Sequence, residues 1–206
     1  SESNAEVVAD LSNQYDFTKA ILSTSQGHTG SGDGTDGTIE DLVVGELVTY
    51  VLIANIGEGT TSEVTITDAL AVANGILDIR DIRITGGSNL TTSSAPTISG
   101  VTPTTSNTNG DTYIEGFSVD FGTVVNDASG TNPADGQIRI EVDAMVVNVL
   151  ANQEGDVVNN SATLGFLEDV DNDGVADLRD GDSDDDGLSD AAEAGLSSTV
   201  LRDSDS

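Results

Sequence analysis

Apolar and polar residues alternate with a period of two along most of the first 166 residues. That period belongs to half-buried strands, because successive side chains of a strand point to opposite faces. The runs are Phe17–Ser23, Glu46–Ala54, Glu63–Leu70, Leu77–Thr85, Thr112–Phe121, Gln137–Leu150 and Asp156–Phe166. Glu46–Ala54 is apolar on both faces, as a central strand between two covered surfaces would be. Clusters of Gly, Asn, Asp, Ser and Thr at 26–38, 56–62, 86–111 and 126–136 separate the runs as turns and loops. No segment carries a capped helical stripe, although Asp68–Asn74 is compatible with one short helical turn. The pattern predicts an all-β fold, an antiparallel β-sandwich of immunoglobulin-like architecture. The Cys and Trp hallmarks of antibody domains are absent. The β region exceeds the usual ~100 residues of that fold, and the Ser/Thr-rich stretch 86–111 is expected to carry the excess.

Composition narrows what such a sandwich can do. The chain has 206 residues, with 37 acidic and 6 basic side chains and a formal charge of −31. Nucleic-acid binding needs clustered Lys and Arg against phosphates, so that class is disfavoured. The same charge opposes docking on anionic lipid, and no apolar run is long enough for a membrane helix. With no Cys and one His, thiolate chemistry, disulfides and His-rich metal centres are excluded. The N-terminal Ser-Glu-Ser-Asn lacks the basic and apolar regions of a signal peptide, which suggests a mature product or an excised piece. Acidic, aromatic-poor chains are often disordered, but the alternating Val, Ile and Leu runs argue for a folded core.

The acidity is unevenly placed. Residues 167–206 hold 14 acids and 2 arginines, a net −12, while residues 1–166 hold 23 acids and 4 bases, a net −19 over four times the length. The short acidic part contains a 13-residue repeat, DVDNDGVADLRDG from Asp169 and DSDDDGLSDAAEA from Asp182. Within each unit, carboxylates occupy positions 1, 3, 5, 9 and 12 and glycine occupies position 6. A hard cation such as Ca2+ takes six to eight oxygen ligands, and a short loop can offer them only from alternate positions around a sharp turn. Position 7, Val175 or Leu188, would contribute its backbone carbonyl. The second unit matches the EF-hand loop pattern to its terminal Glu193, whereas the first ends in the shorter Asp180. No amphipathic helices flank the loops, which argues against a true EF-hand. The alternative is a solvated acidic linker, but such a linker has no reason to keep two glycines in phase. The tandem resembles the thrombospondin type 3 calcium repeats of bacterial surface proteins. The resemblance implies Asp169, Asp171, Asp173, Asp177 and Asp180 around one ion, with Asp182, Asp184, Asp186, Asp190 and Glu193 around another. Eleven acids between 169 and 193 repel one another until cations neutralise them, so Ca2+ is expected to order the segment. The Gly-rich loop around His28 offers Asp33 and Asp36 as a weaker candidate, and reads first as a turn.

Three polar residues in the β region fall in phase with apolar neighbours. Lys19, the sole lysine, shares a face with Phe17 and Ile21; Asp68 shares one with Val64, Ile66 and Leu70; Asn160 shares one with Val158, Ala162 and Leu164. Three arrangements are open for Lys19: a hydrogen-bonded buried ion pair, an ordinary exposed lysine, since Ala20 and Leu22 make its opposite face apolar too, or a reaction that removes the charge. Desolvation favours a neutral amine and a protonated carboxyl, and a neutral amine beside a carboxamide can form an amide and release ammonia.

The segments FTKAI, VGELVTYVLIANIGEG, VTITDAL, DFGTVV and VVNNSATL, in this order over about residues 16–166, resemble the conserved-repeat and isopeptide-forming immunoglobulin-like domains of prokaryotic surface proteins and pilins. That resemblance implies Lys19 on the first strand, Asp68 mid-domain as the proton shuttle and Asn160 in the N-x-A motif of the last strand. The expected organisation is a sandwich over 1–166, calcium repeats over 167–195, and a tail or a further repeat over 196–206. The expected role is that of an extracellular, cell-surface structural module, an adhesin component stiffened by Ca2+ and by a Lys19–Asn160 isopeptide, with neighbouring modules as partners. A self-assembling filament or sheath subunit is the alternative, with identical subunits as partners, Ca2+ at the interface and a segment such as Ala5–Leu11 completing a neighbour's sheet. Seven aromatics give little platform for a glycan- or host-binding module, and no nucleophile–base pair suggests an enzyme.

Overall fold

A computed structural model describes residues 16–26, 42–70, 77–107, 110–127, 132–150, 152 and 160–167. The 13-residue repeat with its ten candidate carboxylates, Val175 and Leu188, the His28 loop and the Ala5–Leu11 segment lie outside the described residues.

Among the described residues, nine strands build two antiparallel sheets. They are β1 (Asp16–Thr24), β2 (Leu47–Asn55), β3 (Gly59–Leu70), β4 (Leu77–Gly86), β5 (Leu90–Thr92), β6 (Thr104–Ser106), β7 (Gly116–Asn126), β8 (Gln137–Val146) and β9 (Asn160–Leu167). The first sheet runs β1-β2-β8-β4; the second runs β5-β7-β3-β9, with β6 also paired to β7. The expected all-β sandwich is therefore present. Ranked by position, β1, β2, β8 and β4 keep the A-B-E-D order of an immunoglobulin-like sheet, and β3 pairs with β9 as strand C pairs with strand F. Strands β5 to β7 are inserted between D and E. Stretch 86–111 holds two of them and the 3₁₀ turn Ile98–Gly100, which supplies much of the extra length. The two short strands escaped the periodicity argument because three residues cannot display a period. Asp68–Leu70, assigned above to a possible helical turn, is strand: its ladder to β7 and β9 outweighs a weak local preference.

Alternation sets the core. Along β8, Ile138, Ile140, Val142, Ala144 and Val146 are buried while Gln137, Arg139, Glu141 and Asp143 face outward. They meet Tyr50, Leu52 and Ala54 of β2 and, from the other sheet, Val64, Ile66, Phe117, Val119 and Phe121. Each large side chain buried here stabilises the sandwich by about 1.5–3 kcal/mol. β2 lies between β1 and β8, and its apolar Val51 is covered on the outer face as well. Outside the first sheet, Arg83 donates to Asp81 at 2.6 Å and to Asp143 at 2.7 Å, Arg139 donates to Glu141, and the Thr49 hydroxyl donates to Asp143. Arg83 and Thr49 hold the Asp143 carboxyl below its usual range, and Arg139 does the same for Glu141.

A bulge re-phases β3. Its register to β7 shifts on both sides of Val64, Glu63 adopts φ 53, and Val64 faces Gly122, itself at φ 60. Strict alternation from buried Thr61 would turn residues 63, 65 and 67 inward. The extra residue instead aims Val64, Ile66 and Asp68 at the core. Gly122 is required where it stands, because a Cβ there would meet the Ser93 and Ser94 hydroxyls and its φ is left-handed.

Candidate functional site

Strands β1 and β9 are the edges of opposite sheets and lie against each other across the core. Among the described residues β1 pairs only with β2, placing Lys19 opposite Leu52 and Ile21 opposite Tyr50. Its inward side chains are Phe17, Lys19 and Ile21, half-buried, while Thr18 and Ala20 are exposed. Leu22 is also exposed, since alternation puts it on the same face as Thr18 and Ala20. Of the three arrangements open to Lys19, the exposed lysine is therefore not the one observed. The bulge in β3 delivers Asp68 to the same place from the other sheet, and β9, pairing Leu70 with Asn160 and Asp68 with Ala162, sets Asn160 diagonally beside Asp68.

Lys19 Nζ donates to Asp68 Oδ1 at 2.7 Å, with side-chain exposures of 19% and 1%. Nζ also stands 4.5 Å from the centre of the Tyr50 ring, a cation–π distance. The partly buried Phe17, Ile21, Ala162, Leu164 and Phe166 pack against the core on β1 and β9 and restrict water around the group. In this dry setting three buried polar atoms have no hydrogen-bond partner: Asp68 Oδ2, Asn160 Oδ1 and the Tyr50 hydroxyl. Orphaned polar atoms in a core are destabilising, typically by 1–3 kcal/mol each, and they need an explanation.

Burial pushes the Lys19 amine below its ordinary range, against the opposing pull of Asp68. Burial pushes the Tyr50 phenol up, and the Asp68 charge adds to this while Asn160 opposes it. The site thus holds an amine whose charged form burial disfavours, a carboxylate in contact with it, and a carboxamide diagonally beside that carboxylate. By type these are groups that can serve as a nucleophile, a base and an electrophile.

Tyr50 was not singled out in the sequence, although the signal was there. It is in phase with Val48, Leu52 and Ala54, so its hydroxyl had to enter the core. Among the described residues no group of three or more His, Cys, Asp or Glu is placed to hold a metal ion, and no helix is long and apolar enough to cross a membrane. No protein-family model matches the chain, and no curated protein matches it in sequence.

Proposed function

We propose that this chain is a structural module of an extracellular surface protein, whose sandwich is locked by an amide bond between Lys19 and Asn160. The observation that carries the reading is the part-buried contact of Lys19 with Asp68 across the two sheets, with Asn160, its carbonyl oxygen unpartnered, next to Asp68. In the reaction, Lys19 passes a proton to Asp68 and the free amine attacks Asn160 Cγ. The new N–C bond forms, Asp68 returns its proton to the carboxamide nitrogen, and the Cγ–Nδ2 bond breaks with loss of ammonia, while the second proton of the attacking nitrogen passes to Asp68, which ends neutral. No external reagent is required.

Intact mass is the test. Completion removes one ammonia from the mass, and the only lysine side chain of the protein becomes inert to amine-acylating reagents, leaving just the N-terminus to react. A mass equal to the unmodified sequence, with Lys19 open to acylation in the unfolded chain, would sink the reading.

Calcium completes the proposed role. The donor chemistry supports it: two loops offer five carboxylates each at alternate positions around an in-phase glycine. Ordering residues 169–193 with Ca2+ would stiffen the joint to a neighbouring module, and the millimolar affinities typical of extracellular modules are sufficient. Calcium titration followed by circular dichroism tests this, with no spectral change up to millimolar Ca2+ as the refuting result. Light scattering in the same titration separates a stiffened joint, at constant particle size, from a filament subunit whose particles grow.

A further inference from the structure

Beyond the three reacting residues, the pocket contains one hydroxyl that the reaction as written does not use. Tyr50 is 3% exposed, and its ring face supports the Lys19 ammonium. Its O–H has no partner, and the two other orphaned atoms of the pocket, Asp68 Oδ2 and Asn160 Oδ1, are both acceptors. One donor therefore stands among two unmatched acceptors.

The condensation makes a demand that Asp68 alone does not meet. When the amine adds to Asn160 Cγ, negative charge accumulates on Oδ1, and at the same stage the departing nitrogen must gain a proton. Asp68 carries the single proton taken from Lys19. Held on the oxygen, that proton would not reach the nitrogen. A second donor resolves the conflict, and donors aimed at developing oxyanions are among the largest contributors to catalysis of acyl transfer.

We propose that the Tyr50 hydroxyl is the hydrogen-bond donor to the Asn160 carbonyl oxygen in the Lys19–Asn160 condensation, leaving the Asp68 proton for the departing ammonia. The phenol keeps its proton throughout; it donates a hydrogen bond and transfers nothing. In the resting pocket the same O–H is available to Asp68 Oδ2, and it turns to Asn160 as the carboxylate is neutralised. Tyr50 thereby has two separate duties, its ring placing Nζ and its hydroxyl stabilising the oxygen. This inference rests on the crosslinking reading given above.

The test is a time course of ammonia loss in the full chain, translated in vitro, quenched in acid at intervals and weighed intact. Tyr50→Phe keeps the ring under Lys19 and removes only the hydroxyl, so the rate should fall on the order of a hundredfold, the usual effect of deleting one oxyanion donor. Fluorotyrosines of graded acidity, incorporated at position 50 in a Tyr15→Phe, Tyr113→Phe background, should raise the rate as the phenol becomes more acidic. A merely structural hydroxyl would show no such trend. Equal rates for wild type and Tyr50→Phe would overturn the role of Tyr50 while leaving the crosslink standing. Loss of no ammonia by the wild type would overturn both. If Tyr50→Phe does not fold, the fluorotyrosine series decides, and a rate indifferent to fluorination overturns the proposal.

Discussion

Asn160→Ala is the cleanest perturbation of the proposed crosslink, because it removes the electrophile and leaves the 2.7 Å contact of Lys19 with Asp68 in place. The Asn160 carbonyl has no partner to lose, so truncation alone should change stability by less than about 1 kcal/mol. The crosslink itself is a different matter. A bond from residue 19 to residue 160 closes a loop of about 140 residues, and the chain-entropy relation for crosslinks gives roughly 5 kcal/mol for a loop of that size. For a domain of this length each kcal/mol moves the melting temperature by about 2–4 °C, so Asn160→Ala should melt roughly 10–20 °C below the wild type. Urea midpoints and calorimetry both measure the difference, with intact mass run on each sample. Midpoints that agree to within about 1 kcal/mol, between proteins whose masses differ only by the substitution, would refute the reasoning.

Three further outcomes follow from the same geometry. In the Asn160→Ala background, Asp68→Ala should cost about 3 kcal/mol in urea unfolding, the low end for stranding a buried partner because Lys19 keeps some solvent contact; Lys19→Met with Asp68→Leu should recover most of it. Asp143 and Glu141 titrate below their unfolded values in the folded protein, so they contribute stability that is present at neutral pH and lost as pH falls below about 4; Arg83→Met should remove chiefly the Asp143 share of that acid limb, leaving the Glu141 share held by Arg139, while changing stability at pH 7 by no more than about 1 kcal/mol. Gly122→Ala should lower the urea midpoint by about 1–3 kcal/mol in free-energy terms, since it combines a left-handed φ with a collision against Ser93 and Ser94.

The fold was legible where alternation was long and uninterrupted. β2 could be read nearly to the residue, because it has one face in the core and a register shared with two neighbours. Boundaries failed where packing and not pattern decides them: β7 runs on to Asn126 because it pairs with β3 and β5, and β8 stops at Val146, short of the exposed Leu150. For the site, phase alone aimed Lys19, Asp68 and Asn160 inward, but phase is local. It contained nothing about the bulge at Glu63 that resets β3, nor about β1 and β9 being edges on the same side of the sandwich. Those are long-range properties of two sheets, and they convert three inward residues into one cluster. Tyr50 shows the same limit: its inward phase was visible, while its neighbours across the core were not.

The position of the two reacting strands also fixes what the bond would do under tension. Among the described residues β1 and β9 each hydrogen-bond to one neighbour only, so a pull along the chain strips them before the inner strands. With Lys19 joined to Asn160, force entering at β1 leaves at β9 through the amide, and the residues between never bear it. An uncrosslinked domain pulled from both ends would extend by up to roughly 500 Å as those ~140 residues straighten at about 3.5 Å each. The crosslinked domain would release almost none of that length, because only the few residues of β1 and β9 outside the bond can extend. Single-molecule stretching of the wild type beside Asn160→Ala distinguishes the cases directly: a long unfolding step in the variant and none in the wild type. A long step in both would mean that the first and last strands are held by hydrogen bonds and packing alone.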